Sequence, residues 1–220
     1  MVVWDLPLRL FHWGLAAAVI GAVISGKAEI LWLHERFGLA VMGLVAFRLF
    51  WGFLGGHYAR FGQFLVVPTA AVEGLRRLFD SEKQPVAGHS AHGGYAVLGL
   101  LAVTGFMAVS GAFSNDDVLF EGPLAHVLPH LSDAATNAHE VAEKFLFLIL
   151  FLHLAAILIY KFVKRRNLTM AMVKGRVDTD PSPTGPDGGI SVARCVAGLL
   201  LLFLCVAAAQ SLSLLRPAMF

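Results

Sequence analysis

HEVAEKFLFLILFLHLAAILIY, residues His139–Tyr160, decides the fold of this chain. From Phe145 to Tyr160 it holds no acidic or basic residue other than His153. A helix crosses about 30 Å of hydrocarbon with about 20 apolar residues at 1.5 Å each. Four other stretches meet that requirement, so five transmembrane helices are expected: about Leu8–Ser25, Leu33–Phe53, Gly93–Phe113, Val141–Phe162 and Val192–Leu214. Composition agrees. Of 220 residues 57% are hydrophobic and 15% charged, more apolar surface than a soluble fold of this size could hide. The partner implied is a lipid membrane, and no nucleic acid is expected.

Lysines and arginines set the orientation. Arg60, Arg76, Arg77 and Lys83 join the second and third spans, and Lys161, Lys164, Arg165, Arg166, Lys174 and Arg176 follow the fourth. The loop between the third and fourth spans has no Lys or Arg, but carries Asp116, Asp117, Glu121 and Asp133. The basic side is the cytoplasm by this rule, with the N-terminus inside and, after five spans, the C-terminus outside. A cleavable signal peptide ending near Ser25 is the rival reading of the N-terminus. It is disfavoured because Arg9 is the one basic residue ahead of the apolar run.

Ionisable groups in a bilayer are costly and therefore functional candidates. His139 and His153 lie fourteen residues apart in one span. At 100° and 1.5 Å per residue they share a helix face, about 21 Å apart along the axis. Ligands of one ion would need i, i+3 or i, i+4 spacing, whereas this separation suits two cofactors, one near each surface. Topology supplies partners at matching depth: His12 with His153 on the cytoplasmic side, and His34 with His139 on the outer side. Paired imidazoles of this kind suit bis-histidine ligation of two b-type haems.

Arg48 falls fourteen residues after His34, at the depth of the cytoplasmic pair. A buried guanidinium needs an anion, either a haem propionate or a carboxylate elsewhere in the chain. Arg9 has two readings as well, a propionate partner or a positive-inside flank. His126 and His130 read as loop residues and His57 as a helix-end residue. His89 and His92, in PVAGHSAHGG, could touch a propionate, move protons near a quinone, or cap the third span. Covalent haem attachment is excluded, because there is no CxxCH. Cys195 and Cys205 lie about 15 Å apart along the fifth span, too far for a bridge.

These residues bear a family resemblance. VWDLPLRLFHW at Val3–Trp13, LHERFGLAVMGLVAFRLFWGFLGGHYARF at Leu33–Phe61, PVAGHSAHGG at Pro85–Gly94 and the His139–Tyr160 segment resemble the prokaryotic cytochrome b-561 family. That family includes the diheme cytochrome b subunits of nickel–iron hydrogenases. The resemblance implies an all-α, integral membrane four-helix bundle binding two non-covalent haems, with ligands on its first, second and fourth helices. It maps onto His12, His34, His139 and His153. It departs at Ser90 and Ala91, where the family often has Asn-Pro. The fifth, C-terminal transmembrane helix lies beyond the core. The chain thus divides into a diheme domain at 1–165, a flexible cytoplasmic linker at 166–190 and an additional helix at 191–220.

The resemblance further implies a protein of the bacterial inner membrane that passes electrons between the quinone pool and a periplasmic redox partner, such as a c-type cytochrome or a hydrogenase. The acidic loop from Ser114 to Asp133 would suit a basic partner. One branch of the family resembles a superoxide:quinone oxidoreductase. That alternative needs an anion-attracting pocket on the outer side, where Lys27 or Arg36 would contribute. A non-redox transporter or assembly factor would use the histidines for proton relay or packing.

Overall fold

The computed structural model describes residues 1–63, 91–116, 120–177 and 188–216; the side chains of residues 91 and 92 are not among them. The described residues are all-α: α1 Leu6–Lys27, α2 Leu31–Leu54, α3 Ala91–Phe113, α4 Ser132–Phe162, α5 Leu168–Lys174 and α6 Val192–Ser211, the last running on as a 3₁₀ turn to Leu215. Two isolated β-bridges, Val2 with Arg176 and Asn115 with Glu121, are the extended pairings among the described residues. Among the described residues, five helices are long and apolar enough to cross a membrane. Their large outward-facing side chains, Phe53, Phe151 and Phe203 among them, suit a hydrocarbon solvent rather than water.

Four spans begin and end within two residues of the sequence expectation. The fourth does not, since α4 starts at Ser132, nine residues before Val141. Hydropathy marks where the hydrocarbon begins, not where the helix does. Ser132–Glu140 is polar, but Asp133 sits in the first turn, where a carboxylate offsets the helix dipole. His139 therefore lies two turns inside the helix.

The chain divides into two compact units. The first gathers Met1–Leu10, Arg48–Leu100 and Ile149–Leu199. Asp5 organises it. Its buried carboxylate caps α1 by accepting from Leu8 N at 2.9 Å. It also accepts from Trp51 Nε1 at 3.1 Å and from Gly56 N at 3.2 Å, which joins the start of α1 to the end of α2. The N-terminal strand segment is knit to the stretch after α5. Val3 N and Trp4 N both donate to Gly175 O, and Gly188 N donates to Val2 O. Gly175 ends α5 with φ +74°, a conformation that favours glycine, and its N–H returns to Ala171 O at 2.8 Å. Within the expected flexible linker 166–190, residues 168–174 are thus helical, and residues 178–187 lie outside the described residues.

The second unit gathers Phe11–Phe47, Leu101–Leu148 and Leu200–Phe220. Leu39, Leu44, Val45 and Phe47 of α2 are buried, and the Phe11 and Phe47 rings lie 6.0 Å apart. A Cβ at Gly43 would stand 2.6 Å from the Val206 backbone, so α6 approaches α2 too closely there for a side chain at that position. The α1–α2 turn is a Schellman motif: Ile30 N reaches Ser25 O and Glu29 N reaches Gly26 O. Glu29 occupies its left-handed position at φ +58°.

Candidate functional site

Among the sequence-predicted residues, His34 and His139 are the pair brought together within one unit. His34 stands one turn into α2 and His139 two turns into α4, and their ring centroids lie 6.0 Å apart with planes 86° to each other. A metal–imidazole bond is about 2.0–2.1 Å and a ring nitrogen lies about 1.1 Å from its ring centre, so two imidazoles bracketing one ion have centroids about 6 Å apart. Hydrogen bonding chooses the nitrogen that faces the gap. His34 Nδ1 lies 2.8 Å from the Ala22 carbonyl, and His139 Nδ1 lies 3.0 Å from the Met107 carbonyl and 3.1 Å from Ser110 Oγ. A carbonyl only accepts, so each Nδ1 carries the proton and each Nε2 keeps its lone pair. This is the outer-sphere arrangement that fixes tautomer and ring orientation in metal-ligating histidines.

Glycines give the rings their room. A Cβ at Gly26 would meet His34 Nδ1 at 2.9 Å, and one at Gly111 would meet the His139 ring at 3.0 Å. One turn beyond His34, by contrast, a Cβ at Gly38 would meet nothing within 4 Å. The helix surface one turn from the imidazole is therefore open at that point. No group of three or more His, Cys, Asp or Glu among the described residues is placed to hold a metal ion. Two facing imidazoles alone would suit an ion that brings further ligands of its own.

His12 lies early in α1 in the second unit, its ring edge-on to Trp13 at 5.0 Å. His153 lies in the later half of α4 in the first unit and is half-buried. Arg48 is 1% exposed, with its guanidinium 4.5 Å above the Phe61 ring. Neither terminal nitrogen of Arg48 has a hydrogen-bond partner among the described residues. Leaving such a group without an acceptor is costly, and a carboxylate arriving with a ligand would relieve it. Arg9 instead donates to the Val173 carbonyl at the end of α5. His57 follows the end of α2 and stacks edge-on with Tyr58. His89 and the His92 side chain lie outside the described residues.

Sequence reasoning missed the groups that orient the site. Ser110 has no motif, and the Ala22 and Met107 contributions are backbone carbonyls. Asp5 had a legible signal, an Asp directly ahead of Leu-Pro at a helix start. Lys27 and Arg36 are both engaged: Lys27 pairs with Glu143 at 2.6 Å, and Arg36 donates to Ser213 Oγ at 3.0 Å and to Gln210 Oε1 at 3.4 Å.

A family model for prokaryotic cytochrome b561 matches residues 3–175. The chain belongs to that family, and is a multi-pass membrane b-type cytochrome of electron transfer. No curated protein and no solved structure gives a significant match.

Proposed function

We propose that this member of the prokaryotic cytochrome b561 family carries electrons through the inner membrane between the quinone pool and a periplasmic redox protein, using two bis-histidine b-type haems. The observation that carries the reading is the His34–His139 pair, with centroids 6.0 Å apart and both Nδ1 atoms committed to backbone carbonyls. His12 and His153 form the second ligand pair, on the basis of helix register. A haem held this way supplies a one-electron ferric–ferrous couple with both axial positions filled.

The protein's part is to hold and insulate. His34 and His139 keep Nε2 free to ligate, and the Ala22 and Met107 carbonyls raise ring basicity by accepting the Nδ1 protons. Arg48, which feels the charge of the Asp5 carboxylate, would offer its two buried terminal nitrogens, unbonded among the described residues, to a propionate. With an imidazole from each of two helices holding the iron, a haem here would supply one-electron transfer rather than oxygen chemistry. A superoxide-oxidising reading needs free cations near the His34 end. The ion pair of Lys27 with Glu143 weighs against it, whereas Arg36, held by the neutral Ser213 and Gln210 side chains, keeps its charge.

Haem per polypeptide, measured by dithionite-reduced optical spectra of the purified protein, tests this directly. Two b-type haems are expected, with one lost in His139→Ala and the other in His153→Ala. A single haem, or loss of both in each variant, would refute the two-pair assignment.

A further inference from the structure

Helix α6 lies beyond residue 175, where the family match ends, and yet its far end reaches the residue next to His34. Glu35 is 8% exposed, an expensive place for a carboxylate. Its cation comes from the other end of the sequence: Arg216 Nη2 lies 2.5 Å from Glu35 Oε2. Arg216 is also positioned by other groups. The same nitrogen donates to the Glu121 carbonyl, and the guanidinium lies 5.9 Å from the centre of the Phe120 ring. One turn earlier on the same segment, Ser213 and Gln210 grip Arg36, and Gln210 Nε2 donates to the Arg36 carbonyl at 2.8 Å. Two consecutive residues after His34 are thus each tied to α6, and the Gly43–Val206 approach holds the helices together below them.

We infer that α6 is a working part of the His34–His139 site: Arg216 is a positioning residue that supplies the counter-charge of buried Glu35 and so sets the redox equilibrium of the haem held by His34. This rests on the diheme reading above. A negative charge left beside a haem stabilises its ferric, more positive state, and a positive charge stabilises the ferrous state. Removing Arg216 therefore lowers the potential of that haem, and removing Glu35 raises it. Arg216 is 37% exposed at its side chain against 7% for Glu35, so water screens the arginine more than the carboxylate.

The test is a potentiometric titration of both haems in the detergent-solubilised full-length protein, comparing wild type with R216Q, R216K, E35Q and the E35Q/R216Q double variant. In R216Q one haem shifts toward the ferric state by a factor of about three or more, roughly 28 mV at 59 mV per tenfold for one electron. The second haem stays where it was. R216K, which keeps the charge, returns most of the shift. E35Q moves the same haem the opposite way, and the double variant lies near wild type. If R216Q is too poorly folded to titrate, E35Q alone decides, and an unmoved potential in it overturns the inference. Two haems with potentials unchanged in both single variants would sink the Arg216 role and leave the diheme reading standing. A colourless wild-type preparation would sink both.

Discussion

His34 and His139 each spend one ring nitrogen on a backbone carbonyl, and that leaves little freedom in how the other nitrogen is aimed. The consequence at this scale concerns a neighbour with no side chain. A methyl group at Gly26 would sit 2.9 Å from His34 Nδ1, so Gly26→Ala must push the ring off the Ala22 carbonyl or bend α1. Loss of such an orienting bond typically costs about 10–100-fold in metal-site affinity. Gly26→Ala is therefore expected to lose one haem by about that factor on dilution, seen as a fall in the reduced α-band, while the second haem is retained. Full retention of both would show that the Nδ1 bond does not position the ligand. That His34 and His139 meet was legible in the sequence because depth in a membrane is a one-dimensional quantity that residue counting reads. Their orienting partners were not, because a carbonyl belongs to every residue and carries no signature.

Among the elements, the apolar spans were legible for the same reason, and the parts outside the hydrocarbon were not. The extra two turns of α4 contain Asn137 and Asp133, which hydropathy treats as loop. The knot between residues 1–4 and 175–188 is made by backbone groups on either side of the whole chain. The Glu35–Arg216 pair spans 181 positions, and no local pattern links two such residues. One element-level choice can be improved on. Glu29 holds the left-handed position of the Schellman turn between α1 and α2, at φ +58°. A side chain there costs about 1 kcal/mol relative to glycine, less the larger entropy that glycine loses on folding. Glu29→Gly should therefore raise the thermal unfolding midpoint only slightly, by at most about 0.5 kcal/mol of stability. A fall in the midpoint would mean that the Glu29 carboxylate contributes more than its backbone strain costs.

At the scale of the molecule, charge and connectivity agree on which ends share a side. In the first unit, Val3 and Trp4 bond to Gly175, so the N-terminus lies with the segment carrying Lys164, Arg165, Arg166, Lys174 and Arg176. In the second unit, Arg216 bonds to Glu121, so the C-terminal end lies with the loop carrying Asp116, Glu121 and Asp133. Five spans would put the two termini on opposite sides of the membrane. Basic flanks are retained in the cytoplasm during insertion. Alkaline phosphatase fused after Phe220 is then expected to be active, and a fluorescent protein at the same point to be dark. The same two reporters fused ahead of Met1 or inserted after Arg166 should behave the opposite way. Active phosphatase at the 166 position would invert the topology, placing the His34–His139 pair on the cytoplasmic side. The acidic loop would then face the cytoplasm, where it could not meet the periplasmic partner of the proposed function.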